Sequence, residues 1–324
     1  MWDSTPWFIA GGKHGPEVAR LVAYNACGGV DGVTRPGDLK VRPSSPAAQS
    51  VVLSPGATSI VNRSAGAASQ AYSARKTEDE VVPLTPTPAG SARTDLICVI
   101  INDPEFPGYD STKGGVYTLV VEGVPADTTR LQAVPGWASR SGYAVAAVTR
   151  PANTGTATAG HIRDLRRLSQ PRSHRDPLTY SLLPTDAETL TSTSATGEQW
   201  PDAAGWNVQI PEWATRVKVV ATWYGVRVPP GNLVGRVQAR LGLVAQANAP
   251  VTQEIVFDTP NANNVSRDTW GLADDLPIPA ELRGTTVYAH LRGRITASSG
   301  NSARVSLDNG SSVVLDLQWV EEVE

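Results

Sequence analysis

Cysteine and histidine are scarce in this sequence of 324 residues, and their scarcity removes several kinds of chemistry. The two cysteines, Cys27 and Cys98, stand far apart, form no CxxC pair and have no histidine cluster beside them. Such spacing supports neither a zinc site nor a disulfide framework, and both thiols are expected to be free and buried. The four histidines, His14, His161, His174 and His290, are scattered, with no second histidine or cysteine at a metal-binding interval, so no metal site is expected. Charge is low as well: 18% of residues are charged and the net charge is -3, with a pI near 5.9. That balance carries no electrostatic footprint for nucleic acid or an anionic membrane. Nowhere do eighteen apolar residues run together, so membrane insertion by a helix is not expected. The start, Met1-Trp2-Asp3-Ser4-Thr5-Pro6-Trp7, lacks the basic residues and apolar run of a secretory leader, which implies a protein kept in the cytosol where it is made. No GxSxG elbow, P-loop or GxGxxG fingerprint occurs, so hydrolase, nucleotide and dinucleotide readings lack support and no cofactor is expected.

Proline and glycine are abundant by contrast, at 25 and 29 residues, and a turn-rich chain of this kind suits many short strands. The length implies two domains. Pro16 to Ala26 predicts one short helix, with proline in its first turn, Val18, Leu21, Val22 and Asn25 at helical intervals, and Gly28-Gly29 as its stop. Short β-branched runs follow at Ser50–Leu53, Ala57–Val61, Ala71–Arg75, Glu80–Leu84, Val116–Glu122 and Tyr143–Thr149. Thr94 to Ile101 is apolar at successive positions, which predicts a central strand covered on both faces. The pattern breaks down after Pro151, where Thr, Ser, Ala and Gly dominate, and 168–199 is expected to be a connector between a first domain at 1–167 and a second at 200–324. In the second, strands at Trp206–Ile210, Arg216–Tyr224, Leu233–Val244, Gln253–Phe257, Thr285–Thr296 and Ser312–Val320 predict an antiparallel β-sandwich of jelly-roll type. The fold class is therefore mostly β, with an α+β first region.

Paired carboxylates of the kind a glycan-cleaving enzyme needs occur at Asp103 with Glu105 and at Asp274-Asp275, but each reads better as turn chemistry, and no catalytic residue is assigned. The basic stretch of Arg163, Arg166, Arg167, Arg172 and Arg175 with His161 and His174 suits an anionic polymer, yet Pro171, Pro177, Asp164 and Asp176 interrupt it and favour a solvated hinge or subunit contact. Six of the nine tryptophans lie from Trp200 onward. Trp223 and Trp319 sit in strand patterns and are expected in the core. Trp213 and Trp270 lie beside turn-like segments and are the candidates for a ligand-binding surface, with a position at the core edge as the plainer alternative.

Several segments occur in an order that resembles one family. They are the helix with Gly28-Gly29-Val30-Asp31-Gly32-Val33, then Pro36-Gly37-Asp38-Leu39-Lys40-Val41, Val51-Val52-Leu53-Ser54-Pro55-Gly56-Ala57, Arg93-Thr94-Asp95-Leu96-Ile97, Asn102-Asp103-Pro104-Glu105, Tyr143-Ala144-Val145-Ala146 and Ile162-Arg163-Asp164-Leu165-Arg166. Residues 14–167 thereby resemble the N-terminal domain of siphophage minor tail proteins and upper baseplate proteins, especially those of phages of actinobacteria. The resemblance implies a virion protein of the tail tip, assembled in the host cytoplasm, that docks on a distal-tail or hub ring and associates as a homotrimer. The second domain is then expected to face the host and bind cell-wall glycan, or to be purely architectural. A tail-associated glycan hydrolase or esterase ranks last.

Overall fold

The computed structural model describes residues 12–262, 264–299 and 304–324; residues 1–7, read above for a leader, fall outside them. The chain forms two compact units, one reaching Pro171 and including Val323–Glu324, the other spanning Arg172–Glu322. No described helix is long and apolar enough to cross a membrane.

The first unit opens with α1 (Pro16–Ala26), followed by β1 (Gly32–Val33), β2 (Val41–Ala48), β3 (Ser50–Leu53), β4 (Gly56–Val61), β5 (Ala71–Lys76), β6 (Glu80–Pro83), β7 (Arg93–Ile101), β8 (Val116–Val124), β9 (Gly142–Arg150) and β10 (Ile162–Asp164). They form three antiparallel sheets, ordered β1-β4-β5, β2-β3-β6 and β10-β9-β7-β8. The continuous apolar run of β7 is central as expected and buried on both faces: Ile97, Val99 and Ile101 join one core cluster, Leu96, Cys98 and Ile100 another. Each such side chain contributes roughly 1.5–3 kcal/mol on burial. Asp95, in the same strand, is fully buried and tolerated because Arg150 (2.9 Å) and Arg93 (2.8 Å) neutralise it.

The predicted helix forms over its full span, with proline in its first turn and left-handed Gly28 and Gly29 beyond its end. Of the four residues at helical spacing only Val18 is buried. Leu21 and Val22 are 37% and 45% exposed, whereas Val18 and Arg20 are buried. Arg20 goes inward because its guanidinium meets Gln70 (2.5 Å), Asp103 (3.0 Å) and Glu105 (2.7 Å) and lies over the rings of Phe106 and Tyr72.

The expected connector at 168–199 is a correction. From Arg172 onward the chain belongs to the second unit, and its first strand, β11 (Ser173–Ser181), pairs residue for residue with the last strand of that unit. After β11 come β12 (Glu188–Thr189), β13 (Glu198–Gln199), β14 (Gly205–Gln209), β15 (Arg216–Val228), β16 (Gly231–Leu241), β17 (Ile255–Ala262), β18 (Ser266–Pro277), β19 (Thr286–Ser299), β20 (Ser306–Leu307) and β21 (Ser312–Val320). The polar, proline-containing β11 hides its strand character because it is an edge, where Pro177 is tolerated.

The longer strands of this unit make two four-stranded antiparallel rows, β11-β21-β15-β18 and β14-β19-β16-β17. Counted in chain order, the first row runs first, eighth, third, sixth, and the second runs second, seventh, fourth, fifth. That winding is a jelly roll, as the fold class predicted. Val217, Val219, Ala221 and Trp223 of β15 alternate with outward residues and join Val313, Leu315, Leu317 and Trp319 of β21 in one core.

Candidate functional site

The two tryptophans singled out for ligand binding are half-buried and pack against the jelly-roll core. Trp270 lies on β18, an edge of one sheet, and stacks on Phe257 of β17, an edge of the other, at 4.2 Å between ring centroids. It also sits 6.0 Å from the buried Trp200 ring. Trp213 lies under the Arg172 guanidinium (5.4 Å), which is itself held by Glu321 (2.6 Å). The two do not form one surface. Trp270 is opposite Trp223 on β15, whereas Trp213 precedes Arg216 at the strand's other end, roughly 20 Å away at the rise of a β-strand.

The carboxylate pairs are engaged in structure. Asp103 accepts the Glu105 N–H in a turn, as expected, and its second oxygen accepts Arg20 and the Tyr72 hydroxyl. Burial and that carboxylate hold the Tyr72 phenol well above its ordinary pKa. Asp274 and Asp275 lie within strand β18 and not in a turn: adjacent strand residues point to opposite faces, so the pair cannot flank one bond. Asp274 accepts the Gln253 N–H and Asp275 pairs with Arg216 (2.9 Å). Several arginines of the basic stretch are likewise engaged by contacts within their own unit. Arg166 is buried against Asp164 and the carbonyls of Pro36, Asp38 and Glu324; Arg167 meets Asp31; Arg175 meets Asp316. Among the described residues no cluster suited to a metal is present, and Cys27 and Cys98 are free and buried.

On the second sheet of the jelly roll His290 is 3% exposed, with its ring 5.3 Å from that of Tyr288. Its Nε2 accepts from Arg292 Nη1 (3.2 Å), so Nδ1 carries the proton toward the Tyr288 carbonyl. Burial first, then the charges of Arg292 and Arg240, hold the imidazole below its ordinary pKa.

The site with the form of a binding cleft was missed by sequence reasoning and lies in the first unit. It encloses about 380 Å³, within the range of ligand pockets. Buried Leu39, Leu53 and Val99 form its floor. One wall is β8, through Val116, Tyr117 and Thr118; the other is the end of β5, through Ala74, Arg75 and Lys76. Lys76 pairs with Glu80 (3.2 Å), which also accepts the Thr118 hydroxyl (2.8 Å). Lys113 lies over the Tyr117 ring at 5.9 Å. Among the described residues Arg75 and Lys113 form no ion pair, so the rim has three cations against one carboxylate. No local signal marks this cleft, because Leu39, Arg75 and Val116 come from separate segments.

No family model matches the sequence, and no curated protein matches it. Among solved structures, the infectious bursal disease virus VP2 subviral particle aligns at 10% identity over 90% of this chain and 67% of that chain, with a TM-score of 0.26. A carbohydrate-binding module of the beta-sandwich super family aligns at 9% identity over 91% and 96%, with a TM-score of 0.19. The triple jelly-roll protein of an archaeal virus aligns at 9% identity over 91% and 78%, at 0.17. At such scores these likenesses carry no argument.

Proposed function

We propose that the chain is a structural subunit of a bacteriophage tail tip, acting by binding and not by catalysis. The first unit docks on neighbouring proteins of the distal-tail or hub ring, the assembly is a homotrimer, and the jelly roll is presented to host cell-wall glycan. The observation that carries this reading is the pairing, in one chain, of a complete jelly roll with a first unit whose segments resemble minor tail proteins. Jelly rolls serve as viral capsid and lectin domains, but a fold alone does not set a function. The half-burial of Trp213 and Trp270 favours a second reading, in which the jelly roll only fills contacts between subunits.

Labelled full-length protein and the Arg172–Glu322 fragment, titrated onto host bacteria and isolated cell wall, separate the two. Saturable binding by both supports adhesion through the jelly roll. Incorporation of the chain into tails without cell binding supports the architectural reading, and absence from the virion overturns both.

A further inference from the structure

Strand β8 is an edge: in its sheet it pairs with β7 alone. The direction of its unpaired backbone groups follows from one hydrogen bond. The Asn102 N–H donates to the Gly115 carbonyl at 2.9 Å, while Ile101 stands opposite Val116. In an antiparallel ladder, opposite residues alternately exchange both bonds or neither. A bond from the residue after Ile101 to the residue before Val116 makes Ile101–Val116 a pair that exchanges neither. The register continues without a shift, so Val99–Thr118 and Ile97–Val120 are of the same kind. The N–H and C=O groups of Val116, Thr118 and Val120 therefore point away from β7, and none has a partner among the described residues.

Edge strands are ordinarily blunted by lysine, proline, a bulge or a covering segment. From Val116 to Val121 the strand has no lysine or proline, and its ladder is regular. Its far end is different: Glu122 is tied to Thr85 (2.6 Å) and lies 3.5 Å from Arg93. The open stretch thus coincides with the wall of the cleft, beside the apolar floor and the cations Arg75, Lys76 and Lys113.

We propose that this edge takes up an extended segment of another protein as an added strand, and that the segment alternates apolar and acidic residues. Main-chain bonds to Val116, Thr118 and Val120 supply affinity, and alternate side chains supply specificity. Apolar side chains on one face of the added strand enter over Leu39, Leu53 and Val99, while carboxylates on its other face meet Lys113, which lies over Tyr117, the β8 residue that faces away from Thr118; among the described residues neither Lys113 nor Arg75 forms an ion pair. Charge complementarity favours this occupant over a second copy of β8, which would bring the same cations together. The inference deepens the docking role proposed for the first unit, but peptide capture by the isolated full chain tests it apart from any virion.

The test is fluorescence anisotropy of the full chain with labelled ten-residue peptides alternating Val with Glu or Val with Lys. The acidic peptide should bind at least tenfold more tightly. Thr118→Pro removes an N–H outside the ladder, so it should weaken binding at least tenfold, with a melting temperature matching that of Thr118→Val, which loses the same hydroxyl bond to Glu80. Arg75→Glu with Lys113→Glu, both at exposed positions, should reverse the preference and carries the test if the proline variant unfolds. Hydrogen exchange at Val116, Thr118 and Val120 should be fast in the free chain and slowed by the acidic peptide. Equal binding of both peptides, or of neither, overturns the proposal. So does a self-associating chain that Thr118→Pro converts to monomer without any peptide uptake. Peptide capture by a chain absent from tails would keep this inference and overturn the tail-tip reading.

Discussion

Cutting the chain at Trp200, where sequence reasoning starts the second domain, should yield a fragment that does not fold, whereas a cut at Arg172 should yield one that does. The Trp200–Glu324 fragment lacks β11, the edge strand pairing with β21 from Ser173 to Ser181. It also loses Leu182 and Leu190, buried in the jelly-roll core. Those two side chains represent roughly 3–6 kcal/mol of burial, as an upper estimate. Asp176 goes too, leaving the buried Trp319 indole N–H without its acceptor at 2.7 Å, at a cost of about 1–3 kcal/mol. The total is comparable with the whole stability of an ordinary domain, about 5–15 kcal/mol. Thermal melts followed by tryptophan fluorescence should show one cooperative transition for Arg172–Glu322 and none for Trp200–Glu324. Melting of the two fragments within a few degrees of each other would refute the assignment of β11 to the jelly roll.

Three further outcomes are expected. Arg150→Met leaves Asp95 buried with only Arg93 as a charged partner, and urea denaturation should show a loss of about 3 kcal/mol. Because the His290 pKa is depressed in the folded state, stability is full above the unfolded value of about 6.5 and is lost as pH falls through it; melting temperatures between pH 7.5 and 5 should fall less in His290→Gln. The Cys98 thiol is pushed up to about 12 by burial and Cys27 is also buried, so a thiol reagent at pH 8 should label neither until the chain is unfolded.

Much of the fold was legible because interior strands announce themselves. β7 is apolar from Leu96 to Ile101 and β15 alternates from Val217 to Trp223, and each occupies the place in its sheet that its pattern implied. Edges were harder. β11 and β18 carry Pro177, Asp274 and Asp275 on mostly exposed positions, so their composition reads as linker or turn although the ladder is continuous through most of both. The helix and its buried Val18 follow from spacing, but the burial of Arg20 does not, since an arginine is buried only when carboxylates from far along the chain await it, here Asp103 and Glu105. The cleft was invisible for the same reason: its floor and cations meet only through long-range pairing, and which backbone groups of β8 point outward is a property of register. Residue type alone singles out Trp213 and Trp270, yet which aromatic ring closes the side of a sandwich depends on the two edges that face each other.

Immunogold electron microscopy of virions carrying this chain, with antibody raised against the Arg172–Glu322 jelly roll, tests the central claim most directly. The account predicts gold at the tip of the tail. Label over the capsid, or none on intact particles in which the antigen is detectable after disruption, would contradict a jelly roll presented at the tail tip.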